Sequence, residues 1–219
     1  MARHKLDLSS LPARPNLEYE SVLWSQGLKL VAGVDEAGRG ALAGPVAAGA
    51  VILPGDNPSL CEHLHGVRDS KVMKPADRET WVEIIKETAV AWGVGFSSAG
   101  EIDQISIAPA TCLAISRAVS QLGVVPDHLL VDYLKLPNES IHQTALIKGD
   151  ARSLSIAAAS ILAKTTRDAL LVELDQQFPC YGFAQHKGYG TQVHRQAIKD
   201  HGPCKYHRFS FSPLAEYCS

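Results

Sequence analysis

The apolar residues change period along the chain, and each change marks an element. Residues 28–34 (LKLVAGV) and 46–53 (VAAGAVIL) are apolar runs of strand length. The DEAGRGALAGP between them is too rich in glycine for a helix, so the pattern predicts two neighbouring strands joined by a tight, irregular turn. Over 74–90 the period becomes helical, with Trp81, Ile84, Ile85 and Thr88 on one face and Pro75 suited to a first turn. A third strand at 92–96, a helix over 108–122, strands at 129–132 and 142–147 and a long helix over 153–178 follow. The SIAAASILA face of the last helix is small and apolar, which predicts close packing on a sheet. Beyond 178 the chain reads as loops and short helices. Strands interleaved with helices in this order describe a mixed α/β domain.

A length of 219 residues suffices for one sizeable core and not for two enzyme domains with a linker. Hydrophobic residues at 46% and charged residues at 20% exclude a disordered chain or a coiled coil. Lys plus Arg at 21 against Asp plus Glu at 23 gives no global basic field, so any binding of a polyanion must be local. The basic excess lies late: Lys187, Arg195, Lys199, Lys205 and Arg208 face only Asp200 over 181–208. That segment is either the polyanion surface or a solvated face. Five cysteines without a C-x-x-C pair point to a reducing cytoplasm. Residues 1–20 hold no apolar stretch of signal-peptide length, and no run approaches the roughly 20 apolar residues of a membrane helix. Neither export nor membrane insertion is expected.

Asp35 and Glu36 close an apolar strand just ahead of Gly38-Arg39-Gly40. Adjacent carboxylates there repel each other unless a cation joins them, the alternative being a solvated turn. On a regular strand they point to opposite faces, so joint use needs a bulge or a bend. A dinucleotide fingerprint is excluded, because the glycine spacing is wrong and a strand follows where a helix is needed. Asp132 ends the strand LLVD, and Asp150 precedes the long helix, which it would cap if it does nothing else. Strand ends gather in open α/β sheets, and a hard oxygen set without His or Cys selects Mg²⁺ or Mn²⁺ over zinc. Cys61 with His63 and His65, and Cys204 with His207, lack metal-site spacing. Tyr189, in GFAQHKGYGT, is either a stacking aromatic or a packed loop residue, and Lys187 beside it suits a phosphate.

Taken together, LEYESVLW (17–24), AGVDEAGRGALAGPVAAGAVIL (32–53), RDSK (68–71), KGDARSLSIAAASILAKTTRD (148–168), YGFAQHKGYGT (181–191) and YHRFSF (206–211) resemble the type 2 ribonuclease H family, specifically its bacterial ribonuclease HII branch. The resemblance implies an α/β, ribonuclease H-like fold, with a five-stranded mixed sheet flanked by helices and a helical C-terminal part. It implies a flexible segment at 1–16 and a catalytic domain over 17–219, whose basic part at about 179–219 binds substrate. The four acidic ligands map onto Asp35, Glu36, Asp132 and Asp150, holding two divalent ions, Mn²⁺ or Mg²⁺. The expected reaction is cleavage of the RNA strand of RNA–DNA hybrids, and of duplex DNA on the 5′ side of a single ribonucleotide, by a cytoplasmic monomer. Gly38, Arg39 and Gly40 would read the 2′-hydroxyl, Tyr189 would pack on the sugar, and Lys71 and Lys187 would meet phosphates. The family's usual glycine after the third ligand is replaced by Tyr133, DSKKL becomes DSKVM, and Cys204 and Lys205 stand for threonine and proline. The competing readings are an inactive hybrid-binding module, disfavoured by four intact carboxylates beside a polyanion, and a DNA nuclease of the same fold, which needs no 2′-hydroxyl reader.

Overall fold

The computed structural model describes residues 11–137 and 139–217. Most of the segment expected to be flexible therefore lies outside the described residues. Its end is tied down: Arg14 donates to the His65 carbonyl at 2.9 Å, and Asn16 forms a bridge with Ser153. A short helix, α1 (Glu18–Ser25), leads into β1 (Val31–Ala37) and β2 (Val46–Ile52). Then come α2 (Leu60–His63), α3 (Pro75–Thr88), β3 (Ala91–Ser97), α4 (Ala99–Ile105) and α5 (Ile107–Ser120). The chain continues through β4 (His128–Asp132), β5 (Gln143–Leu146), α6 (Leu154–Gln177), α7 (Phe183–His186) and α8 (Gln192–His201).

The five strands form one sheet in the order β3-β2-β1-β4-β5. β1 is antiparallel to β2, which is antiparallel to β3, whereas β1–β4 and β4–β5 are parallel. Every predicted strand and long helix is present. β1, however, starts and ends three residues later than its apolar run, because the Asp127 carboxylate takes the amides of Lys29 and Leu30 while pairing with β2 continues to Ala37↔Ala47. Asp35 and Glu36 thus sit inside the strand. The periodicity gave no sign of α4, which begins at a capping box formed by Ser98 and Glu101 and stops where Ser106 turns to φ +68°.

Each face of the sheet has its own core. Ala32, Val34, Leu129 and Val131 pack against Ala114, Ile115 and Ala118 of α5. On the other face α6 lies almost on the backbone: a Cβ on Gly33 would come within 2.2 Å of Ser155, and one on Gly49 within 2.3 Å of Ala159. This is the close approach that the SIAAASILA face predicts. The start of α6 is held by Ser153, whose hydroxyl accepts from the Ile156 amide, and by the buried Glu20 carboxylate. Glu20 accepts from both serine hydroxyls and the Ser155 amide, at the positive end of the helix. The region after α6 folds back over the chain following β1, with the amides of Leu42 and Ala43 donating to the Gly188 carbonyl.

Candidate active site

Parallel pairing decides which acids meet. Val34 of β1 is in register with Val131 of β4, so the next residues, Asp35 and Asp132, stand side by side at the same end of the sheet. Beyond β5, Lys148 takes a left-handed conformation and starts a 3₁₀ turn, Gly149–Ala151, that brings Asp150 back towards them. Asp35, Asp132 and Asp150 each offer an oxygen within 4.8 Å of the others. Asp150 is not the cap of α6, since Ser153 fills that position. The Asp132 carboxylate accepts from the Gly149 amide at 2.7 Å, which fixes the turn to the strand.

Glu36 stands apart from this triad. The β1–β2 register runs unbroken through both acids, so strand alternation turns Asp35 to the α6 side with Gly33 and Glu36 to the α5 side with Val34. Glu36 pairs with Arg39 at 3.3 Å and still lines the same cleft. Burial pushes the Asp35 carboxyl well above the usual range, with the Glu36 and Asp132 charges adding to it. Asp132 is raised by burial and then by Asp150, and Glu36 by burial against the pull of Arg39. Asp35 Oδ2 and Glu36 Oε2 are buried without a hydrogen-bond partner among the described residues. Crowded hard oxygen donors with unmet lone pairs fit divalent cations of the Mg²⁺ or Mn²⁺ kind. Among the described residues no His or Cys group makes a comparable cluster.

Lys71 is the cation already present. Its Nζ lies 3.3 Å from Asp150, held there by a loop that Arg78 anchors through the Ser70 and Met73 carbonyls and through Asp168 of α6. Burial would lower the Lys71 pKa, but Asp35, Asp150 and Asp69 outweigh it and raise it.

The opposite wall of the cleft, about 220 Å³ in volume, is the Gly38-Arg39-Gly40 turn with Tyr189. Two arginines that sequence reasoning did not single out for this role shape it. Arg208, fully buried, donates to the carbonyls of Gly38, Arg39 and Gly44 at 2.8 to 3.0 Å. Burial and the neighbouring Arg167 bring its pKa down to about 9, which leaves it cationic at neutral pH. Arg167 of α6 donates to the carbonyls of Ala43, Pro45 and Lys187. Gly38, at φ +88°, has no room for a Cβ, which would come within 2.0 Å of the Arg167 Nε. A Cβ on Gly40 would meet nothing within 4 Å. Tyr189, 37% exposed, lies over the Arg167 guanidinium and the Lys164 ammonium.

Lys164 lines the cleft, whereas Lys187, the cation expected there, does not. The Lys187 ammonium donates back to the Ala184 carbonyl, at a left-handed backbone position, and its side chain lines a separate cavity between α3 and α6. Lys164 was legible only as part of the 148–168 block. Tyr133, in place of the usual glycine, is 64% exposed and sits at φ +56°, the left-handed region that glycine favours. Its amide still donates to the Leu146 carbonyl at 2.9 Å, so the Asp132 backbone keeps its course. The described cysteines are free, and no helix of the described residues is long and apolar enough to cross a membrane.

The family model described as ribonuclease HII matches residues 32–213. A ribonuclease HII from Synechococcus sp. (strain JA-3-3Ab) is 53% identical over 203 residues, covering 93% of this chain and 90% of that protein. One from Geotalea uraniireducens (strain Rf4) is 49% identical over 213 residues, 97% of this chain and 96% of that protein. Among solved structures, the ribonuclease H2 from Pyrococcus horikoshii OT3 superposes with a TM-score of 0.71 at 26% identity, covering 85% of this chain and 95% of that one.

Proposed function

The chain belongs to the ribonuclease HII family, and on that premise we propose that it cuts duplex DNA on the 5′ side of a single ribonucleotide as well as the RNA strand of RNA–DNA hybrids. Ribonuclease H activity follows from family membership; the site of the cut and the roles of individual residues are our reading. One observation carries it: Asp35 and Asp132, crowded by Asp150 behind them, line a single cleft with Glu36 and a glycine turn that leaves open space in front of Gly40.

Asp35, Asp132 and Asp150, with Glu36 beside them, would hold two divalent cations. Bound there, Mg²⁺ or Mn²⁺ would polarise the phosphate and lower the pKa of the attacking water. The water oxygen bonds to phosphorus as the bond from phosphorus to the 3′ oxygen breaks; that oxygen takes up a proton, leaving a 3′-hydroxyl and a 5′-phosphate. Lys71 and Lys164 meet the phosphates that flank the cut. The carbonyls of Gly38 and Arg39 are turned inward onto Arg208, so the turn presents its other edge, at Gly40, to the 2′-hydroxyl. Tyr189 packs against the sugar. The free thiols suit a reducing cytoplasm, and one chain supplies every group named, so a monomer suffices.

The test is a DNA duplex with one embedded ribonucleotide, incubated with Mg²⁺, Mn²⁺ or chelator, and mapped at nucleotide resolution. A metal-dependent nick on the 5′ side, absent from the all-DNA duplex, is expected. Cleavage of all-DNA duplex at a similar rate, or activity that survives chelation, would overturn the reading.

A further inference from the structure

Tyr189 is held from behind by histidines that take no part in the chemistry described above. The His194 Nδ1 lies 3.0 Å from the Tyr189 carbonyl. A carbonyl only accepts, so Nδ1 carries the proton and Nε2 is left as an acceptor. The His207 Nε2, 3.1 Å away, must then donate to it, and His207 Nδ1 in turn accepts from the Cys204 amide at 3.0 Å. Each bond fixes the tautomer of the next ring. Beside this chain His186 stacks on His194, with ring centroids 4.2 Å apart, and accepts from the Gly188 amide. The two stacked rings therefore grip the backbone on either side of the Gly188–Tyr189 peptide. Gly188 in turn receives the amides of Leu42 and Ala43, just past the glycine turn.

We propose that His194 is a positioning residue for sugar discrimination: through the Tyr189 carbonyl it fixes the height of the tyrosine ring over the cleft, relative to Gly40. The relay needs neutral rings with settled tautomers. Burial provides this, lowering both His194 and His207 to about 4. The inference rests on Tyr189 being the residue that packs on the sugar. It adds that the ring has to be fixed in place to work, and it names the group that fixes it. Without the relay the ring would still be present, but it would sample positions in which a lone ribonucleotide is no longer gripped in one register.

The experiment compares cleavage of a duplex holding one ribonucleotide with cleavage of a continuous hybrid, measuring kcat and KM for each. His194→Gln keeps a polar group at the Nε2 position, facing His207, and loses the donor to Tyr189. His194→Asn places an amide nitrogen where Nδ1 stood and keeps that donor. We expect His194→Gln to lower the ratio of single-ribonucleotide to hybrid cleavage about three- to tenfold, chiefly through KM, and His194→Asn to restore most of it. A double variant with Tyr189→Ala should show no further loss from His194→Gln. If Tyr189→Ala itself leaves the ratio unchanged, the reading of Tyr189 fails. If Tyr189→Ala shifts the ratio while folded His194→Gln does not, the positioning role alone is overturned.

Discussion

Removing one charge from the triad should make the metal-free protein more stable while abolishing its activity. Asp35 is 2% exposed, and its oxygen lies within 4.8 Å of those of Asp132 and Asp150. At that distance and an effective dielectric constant near 20, each ionised pair repels by about 3 kcal/mol. Lys71, 3.3 Å from Asp150, cancels part of this. Asp35→Asn keeps the oxygen that accepts from the Glu36 amide and turns a buried, unpartnered oxygen into an uncharged NH₂ donor within the triad. A net gain of about 2 kcal/mol is expected, or about 4–8 °C in melting temperature for a chain of this size. The assay is thermal unfolding at pH 8, where the carboxylates are most fully ionised, in chelator and then across millimolar Mn²⁺. In chelator the variant should melt above the wild type. With the ion in hundredfold excess over its dissociation constant, the wild type should gain about 2.7 kcal/mol and overtake a variant that gains little. A variant that melts below the wild type in chelator would show that Asp35 supports the fold, and that crowding in the triad is not a stored cost.

Asp132→Asn, Asp150→Asn and Glu36→Gln should each reduce turnover about a hundredfold or more in steady-state cleavage assays; wild-type turnover by Asp150→Asn would mean that Asp150 serves only to hold Lys71. Tyr133→Gly should raise stability by about 0.5–1 kcal/mol in chemical denaturation, since the relief of a left-handed backbone exceeds the added flexibility of the unfolded chain; a loss would mean that the exposed ring packs to some purpose. His194 and His207, both near 4 when folded against 6.5 as ordinary histidines, take up protons on unfolding. Their contribution is complete above about pH 6.5 and is lost as pH falls towards 4, at up to about 1.4 kcal/mol per pH unit for each ring. His194→Asn should flatten the fall in unfolding free energy between pH 6.5 and 4.5 by up to one proton, and an unchanged slope would show that His194 does not titrate in this way.

The architecture was legible because the period of the apolar residues is governed by burial, and both faces of this sheet are buried. What sequence patterning missed are places where one side-chain hydrogen bond overrides the pattern. Asp127 capping the amides of Lys29 and Leu30 moves β1 along the chain, and the capping box at Ser98 starts a helix whose apolar face is too short to register. Asp35 and Asp132 could be singled out as strand-end acids and Asp150 as an acid ahead of the long helix, but their convergence depends on parallel register and on the turn after β5, which no local pattern carries. Charge was the poorest guide. Arg208 counts towards a basic surface in the sequence and is wholly buried, Lys187 bends back onto its own backbone, and Glu20 is interior. Each is charged by composition and structural by geometry, and what separates the two is the supply of backbone donors and carbonyls around it.

The Arg208 hydrogen bonds span 164 to 170 residues, and this bears on how the protein comes off the ribosome. The chain that becomes the sheet and α6 has emerged well before residue 208, so a nascent chain can complete its strands and bring its acids together while the turn at 38–40 still lacks the guanidinium that orients it. Competence of the turn thus waits on a residue made long after the acids. A fragment stopped ahead of residue 208 should bind divalent cations yet discriminate poorly between ribose and deoxyribose. Newly made molecules would therefore hold their metal ligands together before residue 208 lets them choose a substrate.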